Sequence, residues 1–150
     1  MSTTSTRQRE RSQPSEKLAY VATAKPGTRI LVVDDEPDLL DMLTAYFLSS
    51  KYEVDTATNG HDALAVVSKQ RPDVVLLDIH MPRMSGIEAL KEIMKIDQSI
   101  AVIMVTGNTQ LPITVDAIRN GAFGYVPKPF DFRYLDHLIA ASLSRSAPRR

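Results

Sequence analysis

Two short apolar runs that stop at acids constrain this chain more than any other feature. Arg29–Asp34 reads RILVVD and Val74–Asp78 reads VVLLD, each of strand length and each closing on a carboxylate. An unbroken apolar strand has no polar face to offer water, so it belongs in a sheet covered on both sides, the usual setting of parallel sheets. Parallel neighbours need crossovers, usually helical. The sequence supplies them. Pro37–Ser49 carries apolar residues at 39, 40, 43, 46 and 47, a helical stripe with proline in the first turn.

Further along, Glu53–Ala57 alternates as a strand and Gly60–Lys69 is amphipathic through Ala63, Leu64, Val66 and Val67. Ser85–Ile96 places Ile87, Leu90, Ile93 and Met94 on one side. Ile100–Thr106 reads as a strand, Gln110–Asn120 as a helix with Gly121 as its stop, Phe123–Val126 as a short strand, and Asp131–Ser144 as a closing helix. Five strands alternating with five helices predict an α/β domain with a doubly wound, five-stranded parallel sheet. The domain is expected over 28–144, after a flexible leader at 1–27 with a short helix near Leu18–Ala24, and before a tail at 145–150.

Charge and composition exclude several classes. Lysine plus arginine and aspartate plus glutamate balance at 18 each, but residues 28–144 carry a net −6 and the two ends +3 apiece. An acidic body with basic ends predicts no direct nucleic-acid binding. The absence of cysteine rules out disulfides and thiol chemistry and fits a cytoplasmic setting. Ile100–Val105, the longest apolar run, is far too short to span a membrane. Ala22-Thr23-Ala24 imitates a signal-peptidase site, yet only Leu18–Val21 precede it as an apolar stretch, so no signal peptide is expected.

In a doubly wound sheet, ligands bind beyond the carboxyl ends of the strands, where strand order reverses. Here those ends bear Asp34-Asp35, Asp78, Thr106-Gly107 and Lys128-Pro129. Three clustered carboxylates repel unless a cation balances them. Their all-oxygen donor set suits a hard divalent ion, Mg2+ first and Mn2+ as the alternative. Metal, lysine and a nucleophilic carboxylate together suit phosphoryl transfer.

The chain resembles the receiver domain of bacterial two-component response regulators over Thr28 to Ser144. The resemblance rests on the acidic pair after Val32-Val33, the Leu-Leu-Asp-x-x-Met-Pro-x-x-x-Gly run at Leu76–Gly86, the strand-end Thr106 before a small residue, and Lys128-Pro129-Phe130. It implies the flavodoxin-like receiver topology, strand order 2-1-3-4-5. It further implies that Asp78 is the phosphoacceptor, with Asp35, Asp78 and the His80 backbone carbonyl binding Mg2+ and Asp34 acting largely through metal-bound water. Thr106 would hydrogen-bond the phosphoryl oxygen and Lys128 would pair with it, its bond to Pro129 expected cis. Thr106 and Tyr125 would be the switch pair that remodels the face of the fourth helix, fifth strand and fifth helix. The implied role is a signalling switch rather than an enzyme, catalysing only its own phosphorylation and dephosphorylation. The implied donor is a sensor histidine kinase or phosphotransfer protein. The implied output is a downstream protein or a domain outside this chain, with homodimerisation on activation a further expectation.

Plainer readings stand beside these. Asp34 and Asp35 could simply cap the first helix. Tyr125 could be permanently packed, Met42, Met81, Met84, Met94 and Met104 are expected as packing residues or loop anchors, and His61 and His137 as surface residues. His80 lacks a second histidine or cysteine to make a transition-metal site; its side chain is instead expected to tune dephosphorylation. Three rival functions remain. A haloacid-dehalogenase-type phosphatase would need Asp-x-Asp at the first strand and a cap. An FMN carrier would need a Ser/Thr/Gly-rich phosphate loop where Asp34-Asp35-Glu36-Pro37-Asp38 stands. A receiver regulated without phosphate would not need the intact acidic set.

Overall fold

The chain alternates strand and helix from Arg29 onward. The structure is a computed structural model that describes residues 25–107 and 111–146. The elements run β1 (Arg29–Val33), α1 (Pro37–Ser49), β2 (Glu53–Ala57), α2 (Gly60–Gln70), β3 (Val74–Asp78), α3 (Gly86–Ile96), β4 (Ala101–Thr106), α4 (Leu111–Arg119), β5 (Gly124–Pro127) and α5 (Phe132–Ser146). The strands form one parallel sheet in the order β2-β1-β3-β4-β5. The doubly wound α/β expectation and its strand order hold. Most of the leader expected at 1–27, with its short helix, lies outside the described residues, as do the last four residues of the tail.

Alternation along the central strands splits the interior into two cores. Ile30, Val32, Val74, Leu76, Ile103 and Val105 point to one face, where Leu40, Leu43 and Phe47 of α1 meet Leu135 and Ile139 of α5. Leu31, Val33, Val75, Leu77, Val102 and Met104 point to the other, against Ala63 and Val67 of α2, Leu90 and Ile93 of α3, and Ala117 of α4. All five residues of β3 and all six of β4 are buried. Burying each large apolar side chain stabilises by roughly 1.5–3 kcal/mol, which is why these strands tolerate no polar residue before their ends. Among the described residues, no helix is long and apolar enough to cross a membrane.

Local chemistry sets the helix starts. Ser85 caps α3 in a capping box: its Oγ accepts the Glu88 N–H at 3.2 Å while Glu88 Oε1 accepts the Ser85 N–H at 2.9 Å. Asn59 caps α2 by accepting the Asp62 N–H at 2.8 Å. β1 is one residue shorter than the sequence suggests. Asp34 keeps a backbone bond to Ala57 O at 3.1 Å, but its side chain turns to accept the Glu36 N–H at 2.9 Å, and the chain leaves the sheet there. At the other end, α5 continues to Ser146, two residues past the expected stop.

Among the described residues, three non-glycine residues adopt positive φ: Lys51 (68°), Arg71 (46°) and Arg83 (70°). Arg83 lies in the loop that carries the chain from Asp78 into α3. A left-handed conformation costs an ordinary L-residue about 1 kcal/mol that glycine avoids. Arg83→Gly is therefore expected to raise stability by about 0.5–1 kcal/mol in urea denaturation, and a lower midpoint would contradict the strain.

Candidate functional site: an acidic pocket at the strand ends

The sheet reverses its winding between β1 and β3, and that is where the acids meet. β1 hands over to Asp34 and Asp35, β3 ends on Asp78, and β5 passes through Pro127 into Lys128. One carboxylate oxygen each from Asp34, Asp35 and Asp78 falls within 4.8 Å of the others. Asp34 and Asp78 are buried, Asp35 is exposed, and the cluster opens to solvent on the Asp35 side. Lys128 Nζ stands at the edge of the cluster, 2.9 Å from Asp34 Oδ2, 3.1 Å from Glu36 Oε1 and 3.7 Å from Asp78 Oδ2.

Backbone bonds fix each participant. Ile79 N–H donates to Val105 O at 3.0 Å, so the chain stays in register with β4 one residue beyond Asp78. Lys128 N–H donates to Thr106 O at 2.9 Å, which ties the lysine to the end of β4. The Lys128–Pro129 bond is cis. Thr106 is fully buried at its strand end, and beside it Gly107 faces open space, where a Cβ would meet nothing within 4 Å. His80 donates its N–H to Asp78 Oδ1 at 3.4 Å, while its side chain is exposed.

Gly86 explains the glycine in the Leu76–Gly86 run. Its N–H donates to Ile79 O at 2.8 Å, and an added Cβ would lie 2.2 Å from Asp78 O. No side chain fits there without moving the backbone that carries the central carboxylate.

The plain capping reading of the acidic pair does not hold. The N-cap of α1 is Glu36, and its side chain makes no capping bond. Asp34 shapes the turn before the helix, and Asp35 remains exposed beside the cluster. Glu36 itself was missed from sequence, because only the turn at Asp34 brings it to Lys128. Tyr125 sits apart from the carboxylates. It is half-buried against the core on the α2–α3–α4 side and lines a cleft of about 390 Å3 with Pro127, Pro129, Asp131 and Tyr134. His61 and His137 are exposed, as expected. Met104 is core and Met81, Met84 and Met94 pack against it, but Met42 is exposed on α1, so it is not a packing residue.

The donor set fits a small divalent cation: three carboxylates, two of them desolvated, with an open side for water. Electrostatics agree. Burial, with Asp34 and then Asp35 adding repulsion, pushes the Asp78 carboxyl up to about 6 against the pull of Lys128 and the His80 N–H. Burial opposes the Lys128 charge, but hydrogen bonds to Asp34 and Glu36 and the nearby Asp78 outweigh it and raise its pKa.

A carboxyl raised in the folded state stabilises the fold only while protonated. Its handicap is absent below the unfolded value of 3.8 and grows as pH rises through about 6. Without metal at pH 7, Asp78→Asn is expected to stabilise the protein by roughly 2–3 kcal/mol, at about 1.4 kcal/mol per pKa unit. The gain should vanish near pH 4 and shrink when Mg2+ is added. Denaturant titrations at the two pH values, with and without metal, check this.

The sequence profile described as the response regulator receiver domain matches residues 30–140. The chain is 40% identical over 122 residues to the regulatory protein AtoC of Escherichia coli K12, covering 81% of this chain and 26% of AtoC. It thus spans about a quarter of that relative's length. The chemotaxis protein CheY of Thermotoga maritima is 41% identical over 105 residues, covering 69% of this chain and 88% of CheY. Among solved structures, a CheY-like response regulator receiver domain protein from Methanospirillum hungatei JF-1 superposes with a TM-score of 0.79 at 31% identity, over 83% of this chain and 99% of its own. With a parallel sheet in the order β2-β1-β3-β4-β5 and an acidic pocket at its switch point, the chain belongs to the receiver domain family of two-component response regulators.

Proposed function

We propose that the domain is a phosphorylation-operated switch with Asp78 as the phosphoacceptor. The observation that carries this reading is the meeting of Asp34, Asp35 and Asp78 within 4.8 Å of one another with Lys128 at their edge. A buried carboxylate between a cation site and an ammonium is arranged to attack phosphorus, because charge on the transferring oxygens can be met from both sides.

Asp34, Asp35, Asp78 and the His80 backbone carbonyl would hold Mg2+. When bound, the metal neutralises phosphoryl oxygens and keeps Asp78 ionised at neutral pH. The protein side chains do the rest. An Asp78 carboxylate oxygen attacks the phosphorus of a phosphohistidine on a kinase or phosphotransfer protein, the N–P bond breaks, and an acyl phosphate forms. Lys128 pairs with one phosphoryl oxygen and the Thr106 hydroxyl donates to another. Water later cleaves the acyl phosphate and resets the domain.

Output follows from the far edge of the sheet. Thr106 ends β4 and Tyr125 stands on neighbouring β5, paired in register with Met104. A shift of Thr106 toward the phosphoryl group draws Tyr125 inward and reshapes the α4–β5–α5 face, the surface offered to a downstream partner or output domain. Tyr125 also lines a cleft with Pro127 and Tyr134, on the face that would be reshaped.

Incubation with Mg2+ and acetyl phosphate, followed by intact mass, tests the reading. One labile phosphate is expected on the wild type and none on Asp78→Asn. An unlabelled but folded wild type would overturn it.

The exposed His80 side chain stands two residues past Asp78, near enough in sequence to influence how water reaches the acyl phosphate. His80→Ala is expected to change the half-life of the phosphorylated state by severalfold with folding unaltered. An unchanged decay after removal of the donor would remove the side chain from the mechanism and leave it only its backbone role.

A further inference from the structure

Glu36 occupies the N-cap of α1, where a short polar side chain would turn back onto the helix. Here it makes no capping bond and reaches instead across to Lys128, with Oε1 3.1 Å from Nζ. Asp34 stands 2.9 Å from the same ammonium, and Asp78, the proposed phosphoacceptor, is the most distant of the three at 3.7 Å. The resting lysine is therefore held toward the β1–α1 turn, not toward the residue it is to serve.

The three partners differ in how readily they release it. Asp34 is buried and fixed, its other oxygen accepting the Glu36 N–H. Glu36 is 64% exposed at its side chain, so water can replace the lysine at little cost. When a phosphoryl group adds its charge at Asp78, Glu36 is the contact that gives way.

We propose that Glu36 is a positioning residue that holds Lys128 Nζ in the unphosphorylated domain and competes with the phosphoryl group for it, so that it restrains phosphorylation of Asp78. The inference rests on the switch reading above and adds a brake to it. It acts through Lys128. An exposed ion pair of this kind changes a rate by about two- to fivefold.

The test is the rate of labelling by acetyl phosphate with Mg2+, followed by intact mass, for wild type, Glu36→Gln and Asp38→Asn. Asp38 is also acidic and exposed, in the first turn of the same helix, so it controls for general repulsion of an anionic donor. Glu36→Gln is expected to label two- to fivefold faster and Asp38→Asn at the wild-type rate. In the metal-free protein, the Lys128 ammonium signal in NMR is expected to shift or broaden in Glu36→Gln, a change that a purely structural role for Glu36 would not produce. Labelling of Glu36→Gln no faster than wild type, an equal gain in Asp38→Asn, or an unaltered Lys128 signal each overturns the brake and leaves the switch standing. A folded wild type that takes no phosphate overturns the switch and the brake with it.

Discussion

Among the described residues, a single ammonium balances the end of this sheet. Lys128 faces Asp34, Glu36 and Asp78 at 2.9, 3.1 and 3.7 Å, and two of those carboxylates are nearly inaccessible to water. Without it, the buried Asp34 and Asp78 would lose the positive charge that offsets their repulsion, and the Asp78 carboxyl would hold its proton to still higher pH. The balance is incomplete, since the Asp78 carboxyl still sits at about 6. A site left short of positive charge in this way is one that favours a cation and a phosphoryl group whose charge the cation can offset.

That arrangement is affordable only because the rest of the domain is ordinary. β3 and β4 are buried throughout, and two apolar cores clamp the sheet from both sides. Parallel pairing puts every strand's carboxyl end on the same edge, so residues distant in sequence, from Asp34 to Lys128, converge without a long loop. The fine placement comes from backbone contacts that permit no alternative. Gly86 lies against the carbonyl of Asp78, and Lys128 N–H is bonded to Thr106 O. The pocket stands on the end of the sheet, and its open side lies at Asp35 and Gly107.

Much of this was legible from residues alone, and the reasons are physical. Apolar runs of strand length announce buried parallel strands, and helical stripes between them announce crossovers; with the strand ends known to bind ligands, Asp34, Asp35, Asp78, Thr106 and Lys128 could be placed together. What sequence did not reveal depends on single turns. Nothing in Asp34-Asp35-Glu36 says that the first acid leaves the strand to shape the turn, or that the third, by failing to cap α1, reaches the lysine. Lys51, Arg71 and Arg83 take positive φ without the glycine or asparagine that would have signalled it. Element ends shifted by a residue or two for the same reason: hydrogen bonds, not hydropathy, stop them.

A second buried acid shows why perturbed ionisation does not by itself mark a site. Asp136 of α5 is buried, accepts the Tyr46 hydroxyl across the α1–α5 seam, and keeps an Oδ1 without a hydrogen-bond partner. Burial lifts its carboxyl above the usual range, and burial together with Asp136 holds the Tyr46 hydroxyl well above its own. Yet among the described residues Asp136 has one hydrogen-bond partner, from a neighbouring helix, and Phe132 stacks on Tyr46 with ring centroids 4.3 Å apart to seal the seam. Asp78 differs in kind. Its surroundings combine two further carboxylates from another strand, an ammonium from a third and an open side facing water. Convergence of charges from separate strands separates a pocket built to receive a ligand from a polar link between two helices.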